Sequence, residues 1–553
     1  MNNKIIQLEN IKNPDIVKTL NKDELDALSM KIREYLLEKI SINGGHLASN
    51  LADVEATISL LRSFDFTKDR LIFDVGHQCY TYKILTGRSL TKLRKKDGIS
   101  GFQKRKESPF DHYEAGHSST SIGAANGMAI ARRLNKQDYH IVVFIGDAAI
   151  NNGLTFEALF NIHDKIIIVL NDNTENGVNL DIYKGFGLKV YPNIDGHNIL
   201  EMDNFFKKAE EDKESVLIHI RTIKGKGYLP SENNQSGKYH SVPPFDLSKG
   251  LEPSSSLTWS NVYRDLLAVY LANNDKLFLL TAATANGSSL DELIRIYPDK
   301  CRDFGINEED VLITASGLAS QNYHPVISLY STFLQRGYDE ISHDLARMNL
   351  SSTLLIDRAG IVGEDGNTHQ GIYDEAFLYS IPNVTISMAS NIKNSRILLE
   401  ESFKEHGPFV IRYPRETVKY SGETSSFKYG EWVVEKRSNP NIAIVSYGPV
   451  VEEIKDYADK NNIPVTLFNA IYQRPMDETK IKELLQYKRI LIFTPYATKE
   501  GFAQTLISSL MLNKYQGEVS LKCLPTAFID EGSIMEIRKD LGLLVSDIFE
   551  NQK

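Results

Sequence analysis

The chain has little cysteine and no surplus of basic charge. Cys79, Cys301 and Cys523 are its three thiols in 553 residues, and they lie far apart. This excludes a disulfide-stapled scaffold and any cysteine-based metal spacing, and it points to reduced thiols in a cytoplasmic protein. Lys and Arg number 63 against 72 Asp and Glu, a net charge of −9. That balance gives no footing for nonspecific nucleic-acid binding, so no nucleic-acid partner is expected. No apolar run approaches a membrane span; among the longest is Leu277 to Ala285, so no membrane partner is expected either. The opening segment, MNNKIIQLENIKNPDIVKTLNKDEL, is charged and has no apolar signal core, which argues against secretion. Repeats and low-complexity segments are also missing.

What is present is an ordinary soluble composition, 42% hydrophobic and 24% charged, in a chain too long for one core. It divides into three α/β blocks, 1–255, 256–427 and 428–553. The first holds the most informative stretch, His140 to Asn173. An apolar run, Ile141 to Ile145, reads as a buried strand ending at Gly146-Asp147. A helical pattern follows, roughly Leu154 to Ile162, and then a second buried strand, Ile166 to Leu170, ending at Asn171-Asp172-Asn173. A strand–helix–strand crossover makes the two strands parallel and puts Asp147 and Asn173 at the same carboxyl edge, where open α/β sheets bind ligands. Both offer hard oxygens suited to a Mg²⁺ ion that bridges protein and diphosphate. The competing reading is a helix cap at Asp147 and a turn at Asn173.

The polar stretch Ser231 to Ser256 reads as a linker. The second block opens with a helical pattern, Trp259 to Leu271. It continues with strand-like Pro325 to Leu329 and Ser352 to Ile356, separated by the helix-like TFLQRGYDEISHDLARM. The third alternates NIAIVSY, VTLFNA and RILIFT with helices, the doubly wound pattern.

Further motifs bring in a resemblance: GGHLASNL (Gly44 to Leu51), DVGHQCYTYKILTGR (Asp74 to Arg88), EAGHSSTSIGAANGMA (Glu114 to Ala129), YSTFLQRGYDEISHD (Tyr330 to Asp344) and IDRAGIVGEDGNTHQG (Ile356 to Gly371). With the GD…NDN segment they resemble, in order and over nearly the whole chain, the 1-deoxy-D-xylulose-5-phosphate synthase family of transketolase-like enzymes. The resemblance implies three doubly wound α/β domains of the transketolase type: diphosphate-binding, pyrimidine-binding and C-terminal. It also implies thiamine diphosphate and Mg²⁺ as cofactors, and usually a homodimer. The implied reaction is decarboxylative condensation of pyruvate with glyceraldehyde 3-phosphate, whose product feeds isoprenoid, thiamine and pyridoxal synthesis.

The resemblance also implies roles. Glu308, ahead of the TASGLA helix, is the glutamate that contacts the cofactor's pyrimidine; crowding by Glu309 and Asp310 would raise its pKa. Asp147 and Asn173 ligate Mg²⁺ through side chains, and Glu175 through its carbonyl. Gly116, His117, Ser118, Ala148, Ala149, Lys224 and His240 line the cofactor, and Phe333 packs on its pyrimidine. His46 and His77 contact the donor-derived group, with His77 also at the cofactor, and His369 completes the catalytic set. Neutral imidazoles suit proton transfer near pH 7. Tyr330, Arg358 and Arg415 hold the acceptor's phosphate, for which arginine forks are suited. Arg336 is a further site arginine, and Asp365 meets an acceptor hydroxyl.

Four departures stand out. Ala148 replaces the second glycine of GDG, and NEEDV replaces AEQHA around the glutamate. The region Asn176 to His197 is short, and TPYATKEGF replaces a more acidic, glycine-rich segment. They leave open a paralogue with another aldehyde acceptor or ketol donor, and a noncatalytic relative that binds or regulates.

Overall fold

The structure, a computed structural model, describes residues 7–234, 237–252, 256–420 and 426–550. It forms two compact units, Met1–Pro253 and Ser254–Lys553.

The first unit is built on a five-stranded sheet in the order β1-β2-β3-β5-β4, all parallel. Its strands are β1 (Arg70–Phe73), β2 (Ile141–Gly146), β3 (Ile167–Asp172), β4 (Lys189–Asp195) and β5 (Val216–Arg221). The central strands are apolar on both faces, as a parallel sheet covered on both sides requires. Val142 and Phe144 enter one core, while Ile141, Val143 and Ile145 enter the core on the opposite face. The β2–β3 crossover holds two helices, the single turn Asp147–Ile150 and then Gly153–Phe160.

The stretch expected to be a linker is mostly folded onto this unit; Gln235, Ser236 and 253–255 lie outside the described residues. Gly45 bridges Val242, and the Leu47 and Ala48 amides donate to the carbonyls of His240 and Tyr239 at 3.2 and 3.0 Å. Tyr239 and Val242 are buried in the core. Two apolar anchors in a polar stretch are enough to fix it.

The second unit carries two sheets. One has the order β15-β10-β11-β9-β8-β6-β7. It comprises β6 (Leu277–Thr281), β7 (Cys301–Asp303), β8 (His324–Tyr330), β9 (Ser352–Asp357), β10 (Thr385–Met388), β11 (Pro408–Arg412) and β15 (Tyr472–Arg474). It is parallel except for β15, which runs antiparallel to β10. The other, β12-β14-β13-β16-β17, holds β12 (Val433–Arg437), β13 (Ile442–Ser446), β14 (Thr466–Asn469), β16 (Arg489–Thr498) and β17 (Glu518–Leu524), with only β12 antiparallel.

The helix Trp259–Asn273 begins one residue after Thr258, which forms a capping box with Asn261. The segment expected as one helix between β8 and β9 changes its winding instead. It is a 3₁₀ turn, Phe333–Gly337, one α turn, Tyr338–Glu340, and a π-helical stretch, Ile341–Ala346. The break falls at Gly337, where a Cβ would meet Leu312 Cδ1 at 2.0 Å. The close approach of these two elements sets the local path.

Candidate active site

In the first unit the candidate residues gather around the carboxyl ends of β1, β2 and β3. Asp147 is the first helical residue after β2, with Gly146 at the N-cap position; Asn173 follows β3. The Asn173 amide donates to Asp147 Oδ2 at 3.0 Å, joining the two strand ends. Burial pushes the Asp147 carboxyl above the usual carboxylate range, while the Asn173 amide and the Lys224 charge pull it down. A bound cation would remove that penalty. Ala148 is exposed in the short helix and is not among the positive-φ residues, so its methyl sits without backbone strain. The loop that carries Glu175 is anchored by buried Asp172. Its carboxylate accepts from the Thr174 amide and hydroxyl, the Val178 amide and His219 Nε2.

His46, His77 and His240 come together, with ring centroids 5.1, 5.0 and 5.7 Å apart. The Phe102 ring lies edge-on to His46 at 5.6 Å. His77 Nε2 is 3.2 Å from Ser49 Oγ. The 116–121 turn, with Gly116 at φ 133° and Ser119 at φ 71°, passes close to the Asp147–Ile150 helix. Ser119 Oγ donates to the Ala149 carbonyl at 2.9 Å and lies 3.2 Å from Ser118 Oγ.

The second unit holds the remaining residues near the carboxyl ends of β8 and β9. Glu308 is not in a loop. It is the first residue of the helix Glu308–Ser320 and is buried, on the same face as Val311, Leu312 and Ala315. Burial raises its pKa, Arg336 opposes this, and Glu309 adds a smaller push upward. Crowding by acids is therefore secondary to desolvation. Arg336 Nη1 lies 3.4 Å from Glu308 Oε2.

Tyr330, Phe333 and His369 form a row of rings. Tyr330 stacks on Phe333 at 5.6 Å, and Phe333 meets His369 edge-on at 5.6 Å. The Arg358 guanidinium lies over the Tyr330 ring at 3.8 Å. Arg415 Nη1 donates to the Val362 carbonyl at 3.0 Å and lies 3.7 Å from Asp365 Oδ2. One cationic end thus holds Arg358, Arg415, Tyr330 and Asp365.

Comparison with known proteins gives full-length matches. A relative from Clostridium tetani, named 1-deoxy-D-xylulose-5-phosphate synthase, is 35% identical over 97% of both chains. One of the same name from Listeria monocytogenes is 36% identical over 98% of this chain and 96% of its own. The chain belongs to the 1-deoxy-D-xylulose-5-phosphate synthase family. The family profile with that description matches residues 8–179. "Transketolase, pyrimidine binding domain" matches 255–420, and "Transketolase, C-terminal domain" matches 430–548. A solved transketolase from Campylobacter jejuni is similar over 97% of the chain, at 16% identity and a TM-score of 0.47.

Three residues outside the family motifs' expected roles shape these sites. Asp74, buried after β1, accepts from the Ser119 amide at 2.7 Å and from the Ser121 amide and hydroxyl at 3.2 and 2.6 Å, so it fixes the 116–121 turn. Asn50 donates to the carbonyls of both His46 and His77, at 2.7 and 2.8 Å, and accepts from the Tyr80 amide. Gly287 leaves room for the cationic end: a Cβ there would lie 1.7 Å from Tyr330 Oη and 3.0 Å from Arg358 Nη2. The first two stand inside quoted motifs, Asn50 beside the histidines whose carbonyls it holds. Gly287 carries no local signal.

Proposed function

We propose that the chain condenses pyruvate with D-glyceraldehyde 3-phosphate, releasing CO₂ and 1-deoxy-D-xylulose 5-phosphate, with thiamine diphosphate and Mg²⁺. The observation that carries the substrate half of this reading is the cationic end of the second unit. Arg358 across Tyr330, with Arg415 beside Asp365, offers two guanidinium forks and a hydroxyl donor group to a phosphate and a sugar hydroxyl. The names of the full-length relatives support the same reaction.

The donor set also fits the cofactors. Asp147 and Asn173 offer side-chain oxygens, and Glu175 a carbonyl, as Mg²⁺ requires when a diphosphate completes its shell. Lys224, Gly116, His117, Ser118, Ala148 and Ala149 are assigned to the diphosphate end, and Glu308 and Phe333 to the pyrimidine. When bound, thiamine diphosphate supplies the carbanion chemistry. Glu308, with its raised pKa, holds or releases a proton at its carboxyl group. His46, His77, His240 and His369 move protons or orient the reacting groups.

The assigned domains are 1–255, 256–427 and 428–553. Exposed Ile130, Leu134, Leu154 and Phe160, on two helices of the first unit, support a face covered by a second copy in a homodimer. Free Cys79, Cys301 and Cys523 support a reducing, cytoplasmic setting.

The test is CO₂ release from pyruvate by the Mg²⁺-loaded protein, with and without glyceraldehyde 3-phosphate, with the product identified. Release that depends on this acceptor and yields the deoxyketose phosphate is expected. A preference for unphosphorylated aldehydes would overturn the assignment.

A further inference from the structure

The loop from Gly360 to Gly371 is closed by an antiparallel bridge between those two glycines. Inside it, Gln370 Oε1 accepts from the Val362 amide at 2.7 Å. Gly363 turns the chain at φ 95°, and a Cβ there would sit 3.2 Å from the Gly532 carbonyl. The residue that follows is therefore held on a fixed path. It is an acid, Glu364, whose Oε2 lies 3.5 Å from Arg415 Nη1. The same nitrogen serves Val362 and Asp365.

Part of the positive charge at this end is therefore already met: Arg415 faces both Glu364 and Asp365, while Arg358 lies over the Tyr330 ring. Asp357 beneath them is buried and accepts from Ser260 and Ser288 at 3.0 Å each. Asp365 has an assigned partner in the acceptor's hydroxyl, whereas Glu364 has no part in the reaction as drawn above. It competes with the incoming phosphate for the same guanidinium.

Resting on the proposed reaction, we infer that Glu364 is a specificity-determining residue: a built-in anion that occupies Arg415 and lowers its affinity for a phosphorylated acceptor. A phosphate dianion must displace it. An unphosphorylated aldehyde does not meet this competition, so Glu364 narrows the margin between the two kinds of acceptor. It weakens inorganic phosphate at the same site by the same factor.

The test is E364Q, an isosteric change at a half-exposed position, in the full chain loaded with thiamine diphosphate and Mg²⁺. An ion pair of this exposure corresponds to a change of about two- to fivefold. KM for glyceraldehyde 3-phosphate should fall by that factor. The inhibition constant of inorganic phosphate against it should fall alike, and KM for pyruvate should move less. Direct calorimetric titration with inorganic phosphate needs no turnover and should show the same tightening. If the wild type makes no deoxyketose phosphate, the reaction assignment fails, and the phosphate titration still decides the role of Glu364. If the wild type turns over but E364Q binds phosphate no more tightly, the inference alone falls. An equal fall in both KM values would also overturn it.

Discussion

Arg415→Ala tests the acceptor end most cleanly. A hydrogen bond from a charged donor to phosphate contributes roughly 1.5–3 kcal/mol. Arg415 belongs at the low end, because its side chain is 40% exposed and its Nη1 is shared with Glu364 and Asp365. Solvent and these two carboxylates both weaken what it can give. Its loss also leaves the two acids facing the phosphate without their partner. About 1.5 kcal/mol corresponds to about a tenfold rise in KM for glyceraldehyde 3-phosphate. KM for pyruvate should change little. Arg415→Lys should recover part of the loss, since an ammonium lacks the planar fork. Arg358 is a poorer probe, because it also packs over Tyr330 and its removal would disturb that ring. The assay is initial-rate CO₂ release with each substrate varied at saturating levels of the other. An equal rise in both KM values would refute the reasoning and mark Arg415 as structural.

Glu308→Gln should lower turnover by at least about a hundredfold, the scale of a lost acid–base group, with the circular dichroism spectrum unchanged; near-wild-type rates would remove Glu308 from the mechanism. Asp147→Ala should abolish Mg²⁺-dependent binding of thiamine diphosphate in a calorimetric titration, and unchanged affinity would reduce Asp147 to its bond with Asn173. Ala148→Gly should be neutral or should tighten cofactor binding, and a large loss would show that the methyl is part of the site. A further prediction concerns pH. Glu55 is buried, which raises its pKa, but Arg33 and His197 bring it from 4.5 down to about 2. A depressed carboxylate stabilises the fold above its unfolded pKa, and the contribution is lost as pH falls through the folded value. The shift corresponds to about 3 kcal/mol. Glu55→Gln should therefore be less stable than wild type by about that amount at pH 6, with the gap closing between about pH 4.5 and 2. A denaturation midpoint difference independent of pH would contradict it.

The parallel sheet around the candidate diphosphate site was legible because a doubly covered sheet writes itself as apolar runs. Ile141 to Ile145 and Ile166 to Leu170 sit in β2 and β3, apart from shifted ends. Glu308 was harder. Its neighbours Glu309 and Asp310 look solvated, and only the spacing 308, 311, 312, 315 reveals that the glutamate heads a buried helical face. The broken winding from Phe333 to Ala346 depends on Gly337 meeting Leu312, a contact between segments that local pattern does not encode. Asp74, Asn50 and Gly287 escaped for the same reason. They act on backbone amides, carbonyls and free space supplied by distant residues.

One strand has a practical consequence. β15, Tyr472–Arg474, lies between two strands of the C-terminal sheet in sequence but pairs with β10 at the edge of the preceding sheet. A chain cut near residue 428 would strip β10 of its only antiparallel neighbour and present a row of unpaired amides and carbonyls to solvent. Exposed edges of that kind recruit other strands. Fragments that end at the sequence boundary should self-associate, while a break after Arg474 would keep the edge paired but would split β14 and β13 from β16. Neither fragment is a clean module. Any attempt to exchange the C-terminal block with that of a relative should carry β10 and β15 from the same parent.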